Sequence, residues 1–254
     1  MKSDDRTLRT VLVTGGGRGI GAACSRLCAE QGWAVAVNYT SDAAAARSVV
    51  AQIRASGGTA LDVQADVADE AQVLAMFATL DRDMPRLGGL INNAGVVDRG
   101  SRVDAMSVAR LQRMFAINVF GSFVCAREAV KRMSTAHGGP GGSIVNVSSV
   151  AARLGSPGLY VDYAASKAAI DTFTHGLALE VAAEGIRVNA VRPGIIETEI
   201  HASGGQADRV RQITPQLPMK RAGSADEVAQ GIVWLLSGAA SYVTGSILDV
   251  SGGR

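Results

Sequence analysis

Cysteine is scarce in this chain: three residues among 254, Cys24, Cys28 and Cys125. An odd count this low cannot build a disulfide framework and fits a reducing compartment. Histidine is as sparse, and His137, His175 and His201 lack the spacing of metal ligands. Cys24 and Cys28 stand four apart, on one face of a helix, and read as buried small hydrophobes; no metal site is expected. An excess of one charge is also missing. Lysine and arginine total 25 against 23 acids, for a formal charge of +2. Without a dense basic run, a nucleic-acid partner is not expected. No apolar stretch is long enough to span a membrane, and the charged residues 1–6 do not open a signal peptide. The default is a cytoplasmic protein with no membrane partner.

What the chain does have is a recurring pattern. Hydrophobic residues make up 47% and charged residues 19%, a balance that suits a globular core. Short apolar, β-branched runs occupy 11–14, 35–39, 61–66, 90–93, 144–148, 188–191 and 247–250, and segments of helical period separate most of them. Alternation of this kind predicts βαβ units. The expected fold is α/β: one Rossmann-type, doubly wound parallel sheet of about seven strands with helices on both faces. Asp69 with Gln72, and Ser224 with Glu227, have capping-box spacing ahead of helical stretches. The second leads into Val228, Ile232, Leu235 and Leu236, one side of a helix packed on the sheet. Residues 138–142 read as a glycine-rich turn before the fifth strand. No linker, repeat or low-complexity tract divides the chain, so residues 1–254 are read as one domain.

The first strand runs into Thr14-Gly15-Gly16-Gly17-Arg18-Gly19-Ile20-Gly21 and then a helix. Glycines there let the backbone turn tightly and bring helix amides near a pyrophosphate. The spacing Gly-x-x-x-Gly-x-Gly, together with Asn92-Asn93-Ala94-Gly95, resembles the short-chain dehydrogenase/reductase family. The resemblance runs over essentially the whole chain and extends to Asp66-Val67, Asn118, the Ser149/Tyr163/Lys167 set and Pro193-Gly194. It implies a nicotinamide cofactor held by Gly15, Arg18, Gly19, Ile20, Gly21, Asn38, Tyr39, Thr40, Ser41, Asp66, Val67, Asn93, Ala94, Gly95, Tyr163, Lys167, Pro193, Gly194, Ile196 and Thr198. Charge argues for NADP over NAD. No acid stands at 38–41 to bind a ribose 2′-hydroxyl, and Arg18 offers a cation to a 2′-phosphate. Asp42, close by, pulls the other way and keeps NAD possible.

Tyr163 and Lys167 are four apart, within side-chain reach on one helical face. A free phenol has a pKa near 10, and an adjacent ammonium favours the phenolate. The pair is therefore expected to move a proton near neutrality. Tyr160 competes, but four residues on it meets Ala164, which carries no charge. Ser148 and Ser149 both end a strand, and alignment with the family pattern selects Ser149. By resemblance, Tyr163 is the general acid/base, Ser149 binds the carbonyl oxygen, Lys167 lowers the Tyr163 pKa, and Asn118 holds a water leading to solvent.

Residues 195–222, turn-rich and long, are expected to form a substrate lid, with Thr198 on the cofactor. Glu197 and Glu199 argue against a strongly anionic substrate. Within the family the chain resembles glucose 1-dehydrogenase-like oxidoreductases and 3-oxoacyl-acyl-carrier-protein reductases. The stretch 160–167 favours the former. A carrier protein needs a basic surface, yet Glu184 stands where a basic residue is expected; Arg127, Lys131 and Arg132 are the remaining candidates, read here as a solvated helix face. The resemblance also implies a homotetramer, with the Tyr163 helix and the preceding helix at one interface and 242–250 at another. The expected partner is a small-molecule carbonyl or alcohol. Two other classes compete: a catalytically silent nucleotide-binding sensor, and a sugar-nucleotide epimerase or dehydratase. The intact four-residue set argues against the first, and the glycine spacing against the second.

Overall fold

The computed structural model describes residues 8–198 and 209–254. Seven strands form one sheet: β1 (Thr10–Val13), β2 (Ala34–Tyr39), β3 (Ala60–Gln64), β4 (Leu87–Asn92), β5 (Gly142–Val147), β6 (Ile186–Pro193) and β7 (Ile247–Val250). Their order is β3-β2-β1-β4-β5-β6-β7, and every pairing is parallel. The helices used below are α1 (Gly19–Glu30), α2 (Ala43–Ala55), α3 (Glu70–Asp83), α4 (Val108–Phe115), α5 (Gly121–Met133), α6 (Ala151–Leu154), α7 (Val161–Val181), α8 (Arg209–Ile213) and α9 (Ala225–Leu236).

Strand alternation builds two cores. Val11, Val13, Val35, Val37, Val145 and Val191 face α1, α2 and α9. Leu12, Ala36, Leu90, Ile144 and Val188 face α3, α5 and α7. Burial on both faces explains why these strands read as unbroken apolar runs. Cys24 and Cys28 are buried in the first core and Cys125 in the second, with burial pushing Cys24 and Cys125 up to about 12. They pack as small hydrophobes.

Both expected helix caps form, differently. Ser224 and Glu227 make the full reciprocal box at α9. At α3, Asp69 accepts from the Gln72 amide, but the Gln72 side chain reaches past it to accept from the Asp66 N–H. The chain reverses direction of growth between β3 and β4, so the connections leaving β1 and β4 run to opposite faces of the sheet at the carboxyl edge. That topological switch point is where an open α/β sheet leaves a crevice. Among the described residues, no helix is long and apolar enough to cross a membrane.

Candidate active site

Thr14, the residue after β1, buckles the crevice together. Its hydroxyl accepts from the amides of Asn93 and Ala94, each at 3.0 Å, and donates to the Ile91 carbonyl at 3.3 Å. Asn93 answers by donating from Nδ2 to the carbonyls of Thr14 and Gly15 at 2.9 and 3.1 Å. This link was missed in sequence because a threonine ending a strand carries no signal of its own.

The glycine turn is a cradle. Gly15 has φ +60°, a left-handed conformation that favours glycine, and a Cβ on Gly21 would run into the Gly15 carbonyl and the Asn93 amide. No side chain caps the start of α1, and its first turn holds no acid. Uncapped amides at a positive helix end, behind a side-chain-free turn, fit a pyrophosphate. A Cβ on Gly19 would lie 3.3 Å from the Thr198 methyl, so the first residues of the 195–222 segment stand over this turn.

One pocket at the carboxyl edge gathers ten of the expected residues: Ile20, Asn93, Gly95, Ser149, Tyr163, Lys167, Pro193, Gly194, Ile196 and Thr198. Ser148 also borders the pocket, but its buried hydroxyl is spent on the Lys167 carbonyl, to which it donates at 3.1 Å. Ser149 faces the pocket and hydrogen-bonds the Tyr163 hydroxyl. Tyr160 is buried and also lines the pocket, in keeping with a structural or substrate-lining part.

The electrostatics differ from the sequence expectation. Burial pushes the Tyr163 phenol up, against the opposing hydrogen bond from Ser149. Lys167 does not pull it down in this state. Its Nζ lies 5.7 Å from the Tyr163 ring centroid and donates to the Val147 carbonyl at 2.7 Å. Burial brings the Lys167 ammonium down to about 8, and nearby Asp171 opposes that fall. Enclosing both groups in one pocket desolvates each, and that burial is the largest influence on both.

Asn118 sits in a π-helical turn, Ala116–Phe120, between α4 and α5. Such turns re-aim side chains at functional positions. Its Oδ1 accepts from the Val96 amide at 2.8 Å, and its Nδ2 donates to the Val96 carbonyl, Ser166 Oγ and Met114 Sδ at 3.0, 3.1 and 3.1 Å. A Cβ on Gly95 would lie 3.4 Å from Asn118 Oδ1 and 3.5 Å from Lys167 Nζ, so this residue stands in van der Waals reach of both side chains. Its bonds to both backbone groups of Val96 tie the π-helical turn to the wall that Gly95 begins.

The remaining expected residues lie outside the pocket. Asn38 is buried. Its Oδ1 accepts from the Gly15 amide at 3.2 Å, and its Nδ2 donates to the Ala65 carbonyl at 3.0 Å. Its side chain serves the turn. Tyr39, Thr40 and Ser41 follow at the β2 end, where Thr40 Oγ1 reaches the Ala65 carbonyl at 3.5 Å. Asp66 accepts from the Ala68 amide, and Val67 packs in the second core. Arg18 lies 3.8 Å from Asp42, which also caps α2 by accepting from the Ala45 amide.

In the 195–222 segment, Ile195, Leu217 and Ala222 form a small core with Val210 and Ile213, and Ile196 bridges to Gly223. Glu199 lies outside the described residues. Glu184 stands before β6, at the amino edge of the sheet, and accepts from Ser134 Oγ at 2.5 Å. Arg127, Lys131 and Arg132 are all engaged: each pairs with Glu128, Arg127 also with Glu70, and Arg132 also with Asp81.

A family model described as enoyl-(acyl carrier protein) reductase matches residues 15–254. The uncharacterized oxidoreductase YgfF of Escherichia coli K12 is 57% identical over 96% of this chain and 98% of its own. 3beta-Hydroxysteroid dehydrogenase 1 of Eggerthella lenta is 41% identical over 98% of this chain and 95% of its own. The solved short-chain dehydrogenase/reductase of Serratia marcescens superposes with a TM-score of 0.89 at 32% identity, over 96% of this chain and 97% of that one. Sequence likeness, sheet order and pocket agree: the chain belongs to the short-chain dehydrogenase/reductase family of oxidoreductases, enzymes acting on CH–OH groups.

Proposed function

We propose that this protein interconverts a carbonyl and a secondary alcohol on a small molecule, with NADP(H) as the preferred cofactor and Tyr163 as general acid/base. The reading is carried by one observation: Ser149, Tyr163 and Lys167 line the same pocket as Ile20 of the glycine turn. Gly15, Gly19, Ile20 and Gly21 would hold the pyrophosphate, Arg18, Thr40 and Ser41 the adenosine ribose, and Gly95, Ile196 and Thr198 the nicotinamide end. When bound, the coenzyme supplies or accepts the hydride.

The chain's own residues manage the oxygen and its proton. In reduction, the Tyr163 O–H bond breaks as its proton passes to the carbonyl oxygen. Burial, by raising the phenol, keeps it protonated at neutral pH, the form that direction requires. Ser149 donates a hydrogen bond to the same oxygen and orients it. Lys167, at about 8, is mostly an ammonium at pH 7 and favours the phenolate left behind. In oxidation the roles of Tyr163 reverse. Asn118 braces the Gly95 wall against Lys167.

The NADP preference rests on the missing acid at 38–41 and on Arg18, tempered by Asp42. For the substrate, Val97, Val150, Ala151, Leu154, Tyr160 and Ile195 give the pocket a largely apolar wall. That supports an apolar ketone or alcohol, the chemistry named for the Eggerthella relative. Engagement of Arg127, Lys131 and Arg132 by acids speaks against carrier-protein docking. Exposed Phe120, Phe123 and Leu179, and separately Trp234 and Tyr242, supply two apolar faces for a homotetramer. We place the enzyme in the cytoplasm.

The test is nicotinamide absorbance with NADPH and NADH against ketones, aldehydes, sugars and 3-oxoacyl thioesters. Tyr163→Phe is expected to lose turnover by roughly a thousand-fold while the Kd for NADP stays within two-fold. A variant retaining most of the wild-type rate removes Tyr163 from its role.

A further inference from the structure

Asp162 directly precedes Tyr163, and its side chain has 0% exposure. A carboxylate taken out of water needs a charged partner. Arg110 on α4 supplies it, from 52 residues away: Nε donates to Oδ2 at 2.7 Å and Nη2 to Oδ1 at 3.2 Å. Parallel bonds from a planar fork fix orientation as well as distance. The third guanidinium nitrogen, Nη1, donates to the Arg99 carbonyl at 2.6 Å.

Arg99 lies on the chain leaving β4, four residues past Gly95 and two past Val97, which both line the pocket. The same chain touches α7's entry a second time, where the Ser101 amide donates to the Leu159 carbonyl at 2.8 Å. One guanidinium, itself 12% exposed, therefore joins α4, the Gly95–Arg99 wall and the first turn of α7. Charges around it are few: Asp98 and Tyr160 lie near Arg110, and Asp98 pairs with Arg113 at 3.6 Å.

A buried ion pair returns little net stability compared with apolar residues of similar volume. Its geometric constraint is large. We propose that Arg110 and Asp162 are positioning residues for the reaction: the pair fixes the entry of α7 so that the Tyr163 hydroxyl stays beside Ser149, and holds the Val97 wall at a set distance across the pocket. Neither side chain touches the reacting atoms. The inference rests on Tyr163 being the proton donor.

Two variants of the full-length enzyme test it, using the best ketone from the substrate panel. Arg110→Lys keeps a charge opposite Asp162 but loses the fork and the Arg99 bond. Its kcat is expected to fall ten- to a hundred-fold, as for a misplacement of about 1 Å, with the Kd for NADP within two-fold. The double variant Arg110→Met/Asp162→Leu removes both charges together. A purely structural pair predicts a folded protein with wild-type kcat, whereas a positioning pair predicts near wild-type Tm and lowered kcat. Wild-type kcat in Arg110→Lys, or in a folded double variant, overturns the proposal. Tyr163→Phe is the control. If it stays active the proton-donor reading fails; if it is inactive while Arg110→Lys matches wild type, the positioning inference alone fails.

Discussion

The two edges of the sheet treat polar side chains in opposite ways. Toward the amino edge, ions and hydrogen bonds close the fold. Arg187, at the start of β6, donates to the Leu235, Leu236 and Ser237 carbonyls and so terminates α9. Burial pushes the Glu128 carboxyl up, but hydrogen bonds from Lys131, Arg132 and Arg127 hold it below the usual range. At the carboxyl edge, Lys167 is buried and Tyr163 half-buried, and desolvation has moved both toward their neutral forms, against the pull of Asp171 on Lys167. Charges at the amino edge are matched by partners, whereas at the carboxyl edge Tyr163 and Lys167 stand without a salt bridge among the described residues, beside matched pairs such as Arg110–Asp162.

Lys167→Met should break this contrast most sharply. Turnover is expected to fall to near background. The stability effect has a definite sign. The unfolded lysine titrates near 10.5 and the folded one at about 8, so between those values the unfolded state binds more protons. Wild-type stability therefore gains on the variant as pH rises from 8 to 10.5, by up to about 3 kcal/mol. Denaturant melts of both proteins at pH 7 and 10.5 would show it; parallel curves would mean that Lys167 is not desolvated.

Glu128→Ala probes the other edge. It removes a buried acceptor shared by three cations, and a loss of roughly 1–3 kcal/mol is expected, read as a lower denaturation midpoint. kcat should stay within two-fold, since no pocket residue touches Glu128. A large fall in kcat would mean that the two edges are coupled.

Asp42→Asn sharpens the picture within the carboxyl edge and should have the smallest effect. Asparagine can still cap α2, while the negative charge 3.8 Å from Arg18 is lost. Tighter NADP binding by a few-fold, with NAD unchanged, is expected by titration calorimetry, and more so at low salt. Equal shifts for both nucleotides would remove Asp42 from the choice.

Much of this was legible in the chain. Runs such as 35–39 and 144–148 read as doubly buried strands because burial on two faces leaves no room for polar alternation. The spacing of Tyr163 and Lys167 placed them on one helical face, as α7 bears out. Local signals went less far where partners are remote. Asn38 stands at the β2 end as expected, yet its side chain turns inward to Gly15 and Ala65. Glu184 accepts from Ser134, 50 residues away, a partner that its own neighbours in the chain do not announce.

The chain's own pattern was enough for the fold class, the glycine turn after β1 and the nearness of Tyr163 to Lys167, because periodicity and fixed spacing act over a few residues. Tertiary structure alone decided the Thr14 buckle, the burial that raises Tyr163 and lowers Lys167, and the reach of Arg110 to Asp162. Each of these depends on groups that meet only when β1, β4 and α7 converge at the carboxyl edge. Desolvation and long-range hydrogen bonding are properties of that enclosure, which no short stretch of residues encodes.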